Sequence, residues 1–231
     1  MCGRLHVCAG DLTELLQEFA ELIHPGPDNL NAAPTEDIAV LVADANGAVQ
    51  LRSMRWWLTP SWARQPSTRY SMFNAKSETA ATLPSFREPY KRQRCVVPVS
   101  GFYEWARRQG HKQAYFLRSV ENTGLLLAGL WDRWQGVDDA GQSHSIDSFT
   151  ILTTSASPSM QTLHHRQPVL LDQEGARRWL DPNIATAELE HFFAPQLVTS
   201  IEARPVSSWV NNARNKDRRC AQAIAESVIL N

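Results

Sequence analysis

Apolar side chains recur at Leu12, Leu15, Leu16, Phe19, Leu22 and Ile23, the three- and four-residue spacing of one helical face. Asp11 with Glu14 three positions on fits a capping pair, so the spacing predicts a helix over 11–23, ended by Pro25-Gly26-Pro27. Downstream the period shortens. Residues 38–42 and 49–57 flank Asn46-Gly47, a strong short hairpin signal, and predict an antiparallel pair. Short runs rich in aromatic or β-branched residues follow at 95–99, 102–106, 115–118, 125–131, 149–153 and 168–171. Turn-forming stretches such as Arg108-Gln109-Gly110 separate them. Asp172 then caps a predicted helix through Leu180, and 187–193 predicts another. Without repeats, low-complexity tracts or regular βαβ alternation, this order implies an α+β protein, a mostly antiparallel sheet system with helices at its ends.

Composition narrows the class. At 231 residues, 43% hydrophobic and 20% charged, the chain suits one soluble domain spanning 1–231, expected to be a monomer. No apolar run approaches the roughly 18 residues of a membrane helix, and no basic stretch leads into an apolar one at the N-terminus, so a cytosolic protein without a membrane role is expected. Four cysteines at 2, 8, 95 and 220 form no C-x-x-C pair, which argues against a zinc ribbon, a thioredoxin-like motif or a disulfide scaffold. Cys2, His6 and Cys8 have no second ligand pair of matching spacing; no metal and no cofactor are expected.

The net charge of −1 conceals a strong asymmetry. Between Arg52 and Arg118 lie 13 Lys or Arg against three acids, which leaves the remainder with 10 basic and 21 acidic groups. That basic segment interleaves with Trp56, Trp57, Trp62, Tyr70 and Phe73, the combination a groove for single-stranded nucleic acid requires. A solvated face whose charges scatter on folding would read the same.

Cys2 carries the most distinctive chemistry. Removal of Met1 would leave an α-amine and a thiol on adjacent carbons, two nucleophiles spaced to close a five-membered ring on one aldehyde carbon. A cysteine near a terminus is more often a small buried hydrophobe than a nucleophile. Glu104 interrupts the apolar run of 102–106; facing a cavity it would act as a proton donor or acceptor, and on an exposed face it would only be solvated. His164 and His165 precede a proline-bounded strand, where one would serve as a general acid, although adjacent histidines often have structural roles. Asn74 would fix a substrate carbonyl or hydroxyl, or cap a turn.

The order of short motifs is informative. Met1-Cys2-Gly3-Arg4, Asn31-Ala32-Ala33-Pro34-Thr35, Pro60-Ser61-Trp62, Asn74-Ala75-Lys76-Ser77-Glu78-Thr79, Arg94-Cys95-Val96-Val97-Pro98, Gly101-Phe102-Tyr103-Glu104-Trp105, His164-His165-Arg166-Gln167-Pro168-Val169, and Pro205-Val206-Ser207 with Val210-Asn211-Asn212 together resemble the SOS-response-associated peptidase family from Met1 to about Asn215. The resemblance implies a barrel-like, mostly antiparallel core with flanking helices. It also implies a protein that binds single-stranded DNA at abasic sites and bonds to them covalently. By the same resemblance, Cys2 is the nucleophile, with Asn74, Glu104 and His164 as its catalytic partners; self-removal of Met1 is implied too. Arg4, Asn31, Trp62, Lys76 and Arg166 are the candidates for DNA contacts.

Two positions depart from the family pattern: Lys76 stands where Arg is common, losing the bidentate fork, and Trp57 stands where Gly usually follows Trp. The competing readings are an N-terminal-nucleophile thiol peptidase or amidohydrolase, with His164 as base, and a non-catalytic single-stranded DNA-binding module.

Overall fold

A computed structural model of the protein describes residues 2–23, 26–44, 46–108, 110–137 and 142–231. In chain order its strands are β1 (Leu5–Val7), β2 (Asn29–Ala32), β3 (Asp37–Ala43), β4 (Val49–Trp56), β5 (Asn74–Lys76), β6 (Arg94–Val99) and β7 (Gly101–Arg108). They continue as β8 (His111–Ser119), β9 (Leu125–Val137), β10 (Ser143–Ser155), β11 (Arg166–Pro168), β12 (Leu170–Leu171), β13 (Ile201–Val206) and β14 (Val228–Leu230). The α-helices are α1 (Ala9–Ala20), α2 (Ser77–Ala80), α3 (Arg87–Arg92) and α4 (Gln173–Leu180).

Five strands close on themselves. They pair in the order β10-β4-β3-β6-β9, and β9 returns to β10 across Ser143↔Val137 through Ile151↔Gly129, so the ring has no free edge. Every pairing in the ring is antiparallel except β4 with β10. All six positions of β6 are buried, because one face lines the barrel and the other lies under α4 and β1. A second, wholly antiparallel sheet runs β14-β13-β8-β7-β1-β2. One core joins them, with Leu5, Phe102 and Leu117 from that sheet packed together with Val40, Trp56, Val97 and Phe149 of the barrel. The α+β expectation and the barrel-like core are both observed.

Several boundaries differ from the sequence expectation for local reasons. Helix α1 starts at Ala9, whose N–H is accepted by the Asp28 carboxylate at 2.8 Å; the cap comes from a distant residue, and Asp11 merely sits in the first turn. The helix ends at Ala20 because Glu21 takes a left-handed conformation (φ 56), leaving Ile23 outside it and exposed. Pro25 lies outside the described residues. The hairpin at Asn46-Gly47 forms, with Asp44 Oδ1 accepting the N–H groups of Asn46 and Ala48, and Gly47 at φ 82. Strands β9 and β10 run well beyond 125–131 and 149–153, since their outer halves carry polar residues such as Arg133 and Asp147, joined across the pair. The expected strand at 168–171 is two: β11 pairs with β10 and β12 with β9. The Asp172 cap is present, accepting from Gly175 N–H at 2.7 Å, whereas Thr186–Phe193 is a 3-10 rather than an α-helix.

Candidate active site and nucleic-acid interface

The first residues reach the site by extending β1 along β7. Leu5 is opposite Phe102, Tyr103 N–H donates to the Arg4 carbonyl at 3.0 Å, and the next position on β7, Glu104, therefore lies alongside Gly3. On its other side β7 packs closely on β8 at Gly101, where a Cβ would stand 2.4 Å from the Leu117 carbonyl oxygen. Strand β10 supplies the other wall: β5, carrying Asn74, pairs with Ile151–Thr153, and β11, just after His164, pairs with Thr153–Ser155.

The four residues expected to share the chemistry converge. Asn74 Nδ2 donates to the Cys2 carbonyl at 2.8 Å, a contact spanning 72 positions of sequence. Cys2 is fully buried and Glu104 nearly so, at 0% and 3% exposure, which resolves the Glu104 alternatives in favour of an inward-facing carboxyl. Burial first, and then the negative charge of Glu104, push the Cys2 thiol well above its ordinary pKa, so at neutral pH it is held protonated. Burial lowers the pKa of His164, against an opposing pull from Glu104. Both Cys2 and His164 therefore feel the same carboxylate. His164 Nδ1 accepts the N–H of Arg166 at 3.0 Å and lies 3.1 Å from that residue's carbonyl oxygen, so either ring protonation state finds a partner there. His165 is exposed and stacks on His164 with ring centroids 4.2 Å apart.

The expected DNA contacts divide. Trp62 is 64% exposed, displayed on a turn that the β9–β10 arm holds: Asp132 accepts Ser61 N–H at 2.7 Å and Trp134 Nε1 donates to the Ala63 carbonyl at 2.7 Å. Lys76 is exposed at the end of β5. Arg4 is half-buried, its guanidinium donating to the carbonyls of Gly3 at 3.1 Å and Asn211 at 3.4 Å. Asn31 turns inward: fully buried, it donates to the carbonyls of Val210, Asn212 and Asn215 at 3.0–3.1 Å and so pins the C-terminal segment against β2. Arg166 is also turned inward, forming a bidentate pair with Glu78 and donating to Thr153 O at 2.6 Å. The basic segment scatters in part. Arg94 is buried against the carbonyls of Trp179 and Asp181, Arg118 pairs with Glu202, and Trp56 fills the barrel, whereas Arg64, Arg69 and Tyr70 stay on the surface near Trp62 in sequence. Trp57 tilts over Phe73 at 5.5 Å and donates to the Ser67 carbonyl, tying down the loop that follows Trp62.

Sequence reasoning missed the supporting residues. Glu78 and Asn211, which accepts from Trp105 Nε1 at 2.8 Å, lie inside the quoted motifs, and motif membership was the only available signal. Asp132 gave none. Among the described residues, no three His, Cys, Asp or Glu side chains are arranged to hold a metal, and no helix is long and apolar enough to cross a membrane.

A sequence profile described as SOS response associated peptidase matches residues 1–213. The chain belongs to that family. Among its relatives, abasic site processing protein YoqW of Bacillus subtilis is 30% identical over 221 residues, covering 93% of this chain and 96% of the relative. Abasic site processing protein HMCES of Gallus gallus is 33% identical over 202 residues, 77% of this chain and 58% of that longer protein. A crystal structure of a protein from Bacteroides thetaiotaomicron superimposes with a TM-score of 0.81 at 22% identity, over 97% of this chain and 100% of the other, and so shares the fold. The SOS response associated peptidase family thus accounts for the order of motifs, from Cys2 at the start of the chain to the segment that pins Asn31.

Proposed function

We propose that the protein processes abasic sites in single-stranded DNA by bonding to them through Cys2, acting as a monomer once Met1 has been removed. The observation that carries the proposal is the grip of Asn74 on the Cys2 carbonyl, at a centre where Glu104 acts on both Cys2 and His164. Relatives spanning nearly the whole chain are named abasic site processing proteins, which supports the lesion as substrate.

The ring-opened abasic sugar carries an aldehyde. In the Met1–Cys2 bond the Cys2 nitrogen is an amide, and hydrolysis of that bond, assisted by Glu104, creates the amine. The amine adds to the aldehyde carbon and water leaves, giving a Schiff base. The thiol then adds across the C=N bond, its proton passing to nitrogen, and closes a thiazolidine. The amine leads and the sulfur follows, because only nitrogen forms the C=N bond to which the thiol then adds. Asn74 fixes the backbone from which both nucleophiles project, converting the second addition into an oriented intramolecular step. His164, neutral at physiological pH, exchanges protons with the opening sugar, and Glu104 serves the amine and ring closure.

Maturation supplies the test. Protein shown by intact mass to lack Met1 should give, with an abasic strand, an adduct whose mass is the sum of the two less one water. Protein retaining Met1 should give none. Equal reaction of the retained form would remove the amine from the mechanism. With host aminopeptidase blocked, Glu104→Ala should keep Met1 while the native sequence loses it, and equal loss would assign the cleavage elsewhere.

A further inference from the structure

Arg166 links two parts of the site. Its side chain is 10% exposed and its guanidinium grips both carboxylate oxygens of Glu78 while Nη2 reaches the Thr153 carbonyl at 2.6 Å. The main chain of the same residue donates its N–H to His164 Nδ1 at 3.0 Å. Glu78 stands on α2, immediately after the strand that carries Asn74. In the sheet, Thr153 is opposite Lys76 of β5 on one side and Pro168 of β11 on the other, so the Glu78–Arg166 pair spans β10 and braces the two flanking segments against each other. A planar guanidinium donating to a carboxylate with both arms and to a carbonyl has one geometry, which a point charge would not enforce.

We propose that Glu78 is a positioning residue of the site: through Arg166 it locks the strand bearing Asn74 to the segment bearing His164, and so holds the His164 ring where the Arg166 main chain meets its Nδ1. The competing use of the same pair is a reserve, in which Glu78 occupies Arg166 until a DNA phosphate displaces it. Burial favours the brace. A phosphate would have to reach a guanidinium that is 10% exposed and already donating to Thr153.

The inference rests on the proposed abasic-site reaction, and its test keeps the two separable. Glu78→Gln and Glu78→Asp are compared with the native sequence in the matured protein, by crosslinking rate on an abasic single strand, by affinity for an intact strand over a range of salt, and by nitrogen-15 NMR of the His164 ring without DNA. A brace predicts that Glu78→Gln slows crosslinking by on the order of ten- to a hundredfold, while affinity and salt slope for intact DNA stay as they were. The His164 ring nitrogen shifts move from their native values, and Glu78→Asp, which keeps a carboxylate, falls between Gln and native. Tighter binding of Glu78→Gln to intact DNA with a steeper salt slope would overturn the brace in favour of a reserve. Native rate together with an unchanged His164 ring would overturn it outright. If Glu78→Gln fails to fold, Glu78→Asp carries the same readouts. If the native protein forms no adduct at all, the abasic-site reading has failed, and the His164 ring spectra alone decide whether Glu78 positions it.

Discussion

At the scale of single residues, the contact between Asn74 Nδ2 and the Cys2 carbonyl is the one most exposed to test. Asn74→Ala removes one hydrogen bond, worth about 1 kcal/mol of stability, yet should slow crosslinking by on the order of a hundredfold, because the fork of nucleophiles loses its mount. Asn74→Asp sets a carboxylate oxygen against the carbonyl and should be no faster. Stopped reactions resolved on denaturing gels give both rates; an Ala variant that reacts normally would reduce Asn74 to a turn-holding residue. His164→Ala should slow the reaction with binding of intact DNA unchanged within about twofold, whereas His165→Ala should change neither, since the exposed His165 ring lies against His164 on its solvent side. That Cys2, Asn74, Glu104 and His164 come together was legible because all four sit in short polar motifs within otherwise apolar runs. That Asn31 and Arg166, expected as DNA contacts, turn inward was not legible, because composition shows that a side chain is polar, not which way it turns. Asn31 spends its amide on three carbonyls about 180 positions away, and Arg166 finds Glu78 88 positions away.

At the scale of elements, the correction at α1 has a measurable consequence. Asp28 caps the helix from outside it, so Asp28→Ala should cost about 1 kcal/mol in urea unfolding. Asp11→Ala, a first-turn surface change, should stay within about 0.5 kcal/mol. The reverse order would restore the local capping pair read from the sequence. Hydrophobic periodicity located nearly every strand of the barrel, since Val40, Val97, Leu127 and Ile151 must all face the core. It lost the outer halves of β9 and β10, where alternation gives way to exposed polar residues and pairing is held by the ladder and by Arg133 with Asp147. That unforeseen arm holds the turn displaying Trp62.

For the whole molecule, electrostatics sets two expectations and the chemistry a third. DNA binding should weaken with salt, and Lys76→Ala should reduce the salt slope by about one unit, the loss of one phosphate contact; an unchanged slope would take Lys76 off the interface. Stability should fall as pH drops from 7 to 5. Burial holds the folded-state pKa of both His6 and His164 below the ordinary value of about 6.5, so the unfolded chain binds more protons in that window and gains on the folded one. Glu202, held down to about 2 beside Arg118 and Arg204, keeps its charge throughout it. His6→Gln should therefore flatten the pH dependence of the melting temperature between 5 and 7, and an equal slope would place the titration elsewhere.

The most direct measurement is the bond itself. Matured protein is mixed with a single-stranded oligonucleotide carrying one abasic site and, separately, with the intact strand, and each is resolved under denaturing conditions with and without borohydride. The native sequence should give a heat- and detergent-stable adduct on the abasic strand alone, without reductant. Cys2→Ala keeps an α-amine and lacks the thiol, so it should give only a Schiff base that borohydride must trap. A reductant-free adduct from Cys2→Ala as abundant as the native one would contradict the account and move the nucleophile to another residue.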